Sequence, residues 1–252
     1  MFFVVAGIIS FHFFAPSVPL RSGGSVTLTG TGPPVLLSTG LYGTMPAWLY
    51  SDFVNALRVN FTVVMPNGVA VVNADLVRDV TEALSVDSVG LVAHSSLDSH
   101  LIELEEVATV VLCDPVVVPK FEFGSIRRHR VHRSCPCLVI RAALTYESGP
   151  GGIPIPGFLF PDLPVNSTIV HVLDGVGHAD LLDDRWAALG AQLPWMRGAN
   201  APQQPFFDWT FEAKRGANSV AARRRAYRAT VARLAYEHMS RNGSDCSLVQ
   251  VK

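Results

Sequence analysis

Three side chains in this sequence have the types, and the order, needed to move an acyl group: Ser95, Asp114 and His178. Ser95 follows the apolar run Val89 to Ala93 and His94, and such a run reads as a strand buried on both faces. Beyond Ser96, residues Leu97, Leu101, Ile102 and Leu104 take up helical spacing. Ser95 therefore stands at a sharp strand-to-helix turn, which drives its Oγ clear of the backbone. Free N–H groups at the start of the following helix would then face a developing oxyanion. In the nucleophile-elbow pattern G-x-S-x-G, Ala93 and Leu97 occupy the two glycine places. Ser96 is a competing nucleophile, and a helix N-cap is the alternative role for Ser95.

The partners follow in chain order. Asp114 ends the apolar run Val107 to Cys113, and His178 follows the strand Thr168 to Leu173. A serine hydroxyl can attack a carbonyl if an imidazole removes its proton and a carboxylate holds the imidazolium. Glu147, after the strand Cys137 to Ala143, is the alternative acid. Leu41, just past the strand Val35 to Thr39, and Ser96 would offer the oxyanion N–H groups. His94 reads as a packed structural residue.

These residues need a scaffold that gathers distant strand ends. The spacing predicts strands at 25–28, 35–39, 61–65, 89–93, 107–113, 137–143 and 168–173. It predicts helices over 46–58, with Thr44 as cap, over 74–84, over 179–189 and over 220–239. Alternation of strand and helix implies α/β architecture with a mostly parallel sheet covered by helices on both faces. Ligands then collect beyond the carboxyl ends of the strands, where Leu41, Ser95, Asp114 and His178 fall. Met1 to Phe14 is apolar but short and without an early basic residue, so it reads as one or two opening strands, with a membrane-associated segment as the alternative. No linker divides the chain, so residues 1–252 are taken as one domain, with N-terminal strands in 1–30 and a C-terminal packing helix over 218–239.

Composition narrows the classes. At 252 residues, with 49% hydrophobic and 16% charged side chains, the chain can bury a full core and is not disordered. A formal net charge of −1 supplies no attraction to nucleic acid or to an anionic membrane. The four cysteines form no C-x-x-C pair, so neither a zinc site nor a thioredoxin-type motif is indicated, and a reduced, cytoplasmic compartment is mildly favoured; the sequence implies no metal or organic cofactor. Three N-x-[ST] sequons, at Asn60, Asn166 and Asn242, leave secretion open. The basic cluster from Arg127 to Arg133 reads as a solvated loop. The last helix carries Tyr227, Val231, Leu234 and His238 along one face and reads as packed, with peripheral membrane contact as the lesser alternative. The loop from Gly149 to Leu163 places Ile153, Ile155 and Phe158 among prolines and glycines. With Tyr42 they are the candidate walls of an apolar substrate pocket.

Four stretches carry a family resemblance. They are Val35-Leu36-Leu37-Ser38-Thr39-Gly40-Leu41, Leu91-Val92-Ala93-His94-Ser95-Ser96, Leu112-Cys113-Asp114-Pro115-Val116 and Gly177-His178-Ala179-Asp180-Leu181-Leu182-Asp183-Asp184. The chain resembles the α/β-hydrolases and, within them, chlorophyllases and their esterase relatives. The histidine segment is the most specific match, and the Arg-rich final helix also fits that family's ending. Thr39 stands where the family's oxyanion loop has histidine, and Ser96, Leu97 and Asp98 replace an arginine and two glycines. The resemblance implies an α/β-hydrolase fold with a minimal lid and a triad of Ser95, Asp114 and His178. It also implies hydrolysis of a small apolar carboxylic ester through an acyl-enzyme, without cofactor. Two other readings stand beside it: an inactive hydrolase fold used for binding, and a lipase or thioesterase of the same mechanism.

Overall fold

A computed structural model of the chain describes residues 16–40, 43, 45–68, 71–95, 97, 99–115, 135–142, 168–173, 176, 178–184 and 217–242. Eight strands form one sheet: β1 (Ser17–Pro19), β2 (Ser25–Thr29), β3 (Pro34–Ser38), β4 (Thr62–Pro66), β5 (Val89–His94), β6 (Val107–Cys113), β7 (Cys137–Ala142) and β8 (Thr168–Leu173). Their spatial order is β1-β2-β4-β3-β5-β6-β7-β8. β1 and β2 run antiparallel to their neighbours, and every pairing from β4 through β8 is parallel. This mixed sheet, reversing its winding at β3 and covered on both faces, is the α/β-hydrolase fold.

Side-chain alternation decides what covers each face. Val35, Leu37, Val92, Val111 and Cys113 point into one buried cluster. There they meet Phe53, Val54 and Leu57 of α1 (Ser51–Leu57) and Tyr227, Val231, Ala235 and Met239 of α3 (Ala217–Asn242). Leu36, Leu91, Ala93, Val110 and Leu112 point the other way. They pack on Val77 and Val80 of α2 (Ala74–Leu84) and on Leu101 and Ile102 of a 3-10 helix, Ser99–Glu103. Each buried Val, Leu, Ile, Phe or Met among them contributes on the order of 1.5–3 kcal/mol by leaving water. Strands buried on both faces explain why β3, β5 and β6 read as unbroken apolar runs.

Local chemistry sets the element ends. Asn73 caps α2, its side-chain oxygen accepting from the Leu76 N–H at 3.0 Å, and Ser85 ends it in the left-handed region at φ 54°. Gly30 turns the chain out of β2 at φ +89°, and a methyl there would fall far inside contact distance of the Phe61 and Arg58 carbonyls. Gly30→Ala is therefore expected to lower unfolding stability by about 2–4 kcal/mol, since strain and a backbone clash add. Urea denaturation of the variant checks it.

Four differences from the sequence reading have physical causes. The predicted 46–58 helix is two pieces, a 3-10 helix at Ala47–Tyr50 and then α1, with the break at Tyr50 (φ −114°, ψ 19°). The helix predicted after Ser95 is instead the 3-10 helix that begins at Ser99. Only twelve residues join β5 to β6, and a crossover that short leaves room for little more than one turn. β1 escaped notice because it is short and bracketed by prolines, which confines it to a sheet edge. The last helix extends beyond its predicted 220–239, covering Ala217–Asn242. The opening residues 1–14, Thr44, the basic cluster and the predicted helix beyond Asp184 lie outside the described residues. Among the described residues, no helix is long and apolar enough to cross a membrane.

Candidate active site

The carboxyl ends of β5, β6, β7 and β8 lie along one edge of the sheet, because these strands are parallel and in register. Ser95 is the first residue past β5, and its N–H donates to the Cys113 carbonyl at 3.1 Å. Its φ is +67°, in the left-handed region that disfavours any side chain. A half-buried serine held there has its Cβ thrown out of the strand line, which is the geometry of an exposed nucleophile. Leu97 is half-buried and packs on the core cluster beneath the 3-10 helix, so the elbow accommodates the leucine by turning it inward.

Asp114 is the corresponding residue past β6, also at positive φ (45°) and 4% exposed. Its N–H donates to the Ile140 carbonyl at 2.6 Å, and its Oδ1 accepts from the Ala142 N–H at 3.0 Å. These two backbone contacts aim the carboxylate along the ends of β6 and β7. Beneath it the buried Cys113 thiol is pushed well above its usual pKa, by burial first and by the Asp114 charge second. The Tyr227 phenol on α3 shifts the same way, mainly by burial and then by the charges of Asp114, Cys113 and Asp180. Among the described residues its buried hydroxyl has no hydrogen-bond partner.

His178 opens a 3-10 helix, His178–Leu181, in the turn after β8. The acids that follow it have structural partners. Asp180 is fully buried and accepts from Arg224 Nε at 2.7 Å. Asp183 accepts from the Asp52 N–H at 2.8 Å, and its own N–H donates to the Leu49 carbonyl. It thereby caps α1, whose preceding residue Tyr50 makes no side-chain cap bond. Asp184 meets Arg228 Nη2 at 2.8 Å. Arg228 is 1% exposed and also reaches Asp52 Oδ2 and the carbonyls of Leu182 and Asp180. Two arginines of α3 therefore fasten the histidine turn to α3, and Arg228 ties it to α1 as well.

The loop after β3 is tied just as closely. Thr39 Oγ1 donates to the Met45 carbonyl, Gly43 N–H to the Thr39 carbonyl, and Met45 N–H to the Gly40 carbonyl. Gly40 N–H donates to Tyr50 Oη at 2.9 Å, and the same oxygen lies 2.8 Å from His94 Nδ1. His94, 3% exposed, is a structural residue of the elbow strand, as its position suggested. Sequence reasoning missed Tyr50, Arg224 and Arg228. For the arginines a signal existed: both share the inward face of α3 with Tyr227 and Val231. Nothing in the sequence pointed to Tyr50.

Ser95 and Asp114 are thus brought to adjacent strand ends, and the backbone of His178 to the turn beyond β8. Leu41, Tyr42, Ser96, Glu147, Ile153, Ile155 and Phe158 lie outside the described residues. Among the described residues, no group of three or more His, Cys, Asp or Glu could hold a metal ion.

No protein-family model matches the chain, and no curated protein does. Solved structures similar to it include an α/β fold family hydrolase from Bacillus anthracis str. Sterne, with TM-score 0.32, 18% identity and 42% of this chain covered. The match spans 45% of that hydrolase's length. Naproxen esterase (carboxylesterase NP) from Bacillus subtilis is similar at TM-score 0.44 and 12% identity, over 68% of this chain and 87% of that one. A meta-cleavage product hydrolase from Pseudomonas fluorescens IP01 is similar at TM-score 0.41 and 13% identity, over 65% and 90%.

Proposed function

We propose that the chain is a serine hydrolase of carboxylic esters, chlorophyllase-like in type, acting through Ser95, Asp114 and His178. The observation that carries this reading is the pair of positive-φ residues at adjacent strand ends. Ser95 and Asp114 hold φ of 67° and 45° where ordinary turns would use glycine or asparagine. Strain of about 1 kcal/mol or more at each is kept where a hydroxyl and a carboxylate are wanted in one corner.

In the proposed reaction Ser95 Oγ attacks the ester carbonyl as His178 takes its proton. The tetrahedral oxyanion is met by the N–H groups of Leu41 and Ser96. Collapse expels the alcohol, which takes the proton back from His178, and leaves an acyl-Ser95. Water, deprotonated by the same imidazole, attacks the acyl carbon and releases the acid. Asp114, steadied by the Ala142 N–H, stabilises the imidazolium. The apolar loop with Ile153, Ile155 and Phe158, and Tyr42 beside the oxyanion loop, supply the pocket, so apolar alcohol or acyl groups are the proposed substrates. The chlorophyllase subtype rests on the sequence resemblance.

A fluorophosphonate probe tests this directly. The folded chain is expected to take up one equivalent on Ser95, and His178→Ala to slow labelling by at least about 10²-fold. Absence of labelling on folded protein would favour a binding module instead. Hydrolysis of short against long p-nitrophenyl esters then separates esterase from lipase behaviour.

A further inference from the structure

We propose that Tyr50 is a positioning residue, whose hydroxyl locks the loop after β3 to the strand end that carries Ser95. This rests on the reading of Ser95 as nucleophile and adds to it a residue outside the triad. Tyr50 is fully buried, and its oxygen is touched by both pieces. On one side it accepts from the Gly40 N–H at 2.9 Å, the peptide immediately before Leu41. On the other it lies 2.8 Å from Nδ1 of His94, the residue immediately before Ser95, with the two rings edge to face at 5.5 Å.

The proton count decides the direction of the second bond. The phenol has one hydrogen and, with burial pushing its pKa up, keeps it. Met45 Sδ lies at 3.8 Å and His94 Nδ1 at 2.8 Å. The closer and more basic acceptor takes the hydrogen, so His94 Nδ1 is unprotonated and its proton sits on Nε2. His94 is thereby spent as a structural acceptor and cannot act as a second base through Nδ1. A methyl at Gly40 would press on Met45 Sδ at 2.7 Å and Tyr50 Oη at 3.1 Å, so the Met45 side chain would have to shift.

The position of Tyr50 is in turn set from the histidine side. Two residues on, the Asp52 N–H is held by Asp183 and the Asp52 carboxylate by Arg228. The start of α1 thus ties the oxyanion loop, the elbow and the histidine turn to one short segment. Removing the hydroxyl would leave the Thr39–Gly40 peptide held only from its carbonyl side, by Gly43 N–H, among the bonds described, and misplacing an oxyanion donor by a fraction of an ångström weakens only the transition state.

Tyr50→Phe keeps the ring and removes the oxygen. On a p-nitrophenyl ester its kcat is expected to fall about 10- to 100-fold, with KM within roughly twofold of the parent. Exchange of the Gly40 amide hydrogen should speed up about tenfold, as befits one lost hydrogen bond. Two nuclear magnetic resonance readouts on the parent protein need neither turnover nor a folded variant. His94 should show an unprotonated, accepting Nδ1 and a protonated Nε2, and the Gly40 amide should be protected from exchange. A parent that neither hydrolyses esters nor takes up fluorophosphonate refutes the esterase reading, while these two signals still decide the role of Tyr50. A protonated Nδ1, an unprotected Gly40 amide, or an unchanged kcat in a folded Tyr50→Phe overturns the proposal.

Discussion

Ser95→Gly is expected to be more stable than the parent and catalytically dead. Loss of the hydroxyl removes the nucleophile, and kcat should fall by roughly 10⁴- to 10⁶-fold, as it does when a triad serine is removed. The stability change has the opposite sign. Ser95 holds φ +67°, where a Cβ costs about 1 kcal/mol that glycine does not incur. For a chain of this size that corresponds to a rise of about 2–4 °C in the unfolding midpoint. Ser95→Ala keeps the Cβ and so keeps the strain, and should lose the activity without gaining the stability. The pair separates a residue held in strain for chemistry from an ordinary capping serine. A cap would show the reverse, with both variants losing stability and neither losing turnover. Calorimetry and ester hydrolysis on the two variants decide between them.

Arg228→Leu should have the largest effect on stability, about 3 kcal/mol or more. The guanidinium is 1% exposed and donates to Asp52, Asp184 and the carbonyls of Leu182 and Asp180. Removing it strands two inward-facing carbonyls at about 1–3 kcal/mol each. The two carboxylates add less, because Asp52 is half exposed and Asp184 partly so, and water can solvate them. Arg228→Lys keeps the charge, but a compact ammonium cannot bridge four acceptors in a plane, so about half the loss remains. These contacts and those of Arg224 and Asp183 anchor the histidine turn. Activity in Arg228→Lys should therefore fall further than its stability does. Chemical denaturation with kcat measured in parallel checks both halves.

The central strands were legible because burial on both faces writes them as unbroken apolar runs, as in Val107–Cys113. α2 was legible end to end because Asn73 caps it and its apolar residues keep step. The positions of Ser95 and Asp114 followed from the strands they terminate. What escaped was long-range. The start of α1 is capped by Asp183, 131 residues from its partner Asp52. The acids after His178 were read as a motif, and their buried arginine partners on α3 only as part of an Arg-rich ending. Tyr50 carried no signal, because a tyrosine between Leu49 and Phe53 reads as ordinary core. Local rules cannot see a hydrogen bond between residues 44 positions apart.

The most direct measurement is a crystal structure of the fluorophosphonate-treated protein. The account predicts phosphorus bonded to Ser95 Oγ, with a His178 ring nitrogen within about 3 Å of that oxygen and the other ring nitrogen facing the Asp114 carboxylate. An adduct on another residue, or an imidazole turned away from an unmodified Ser95, would contradict it.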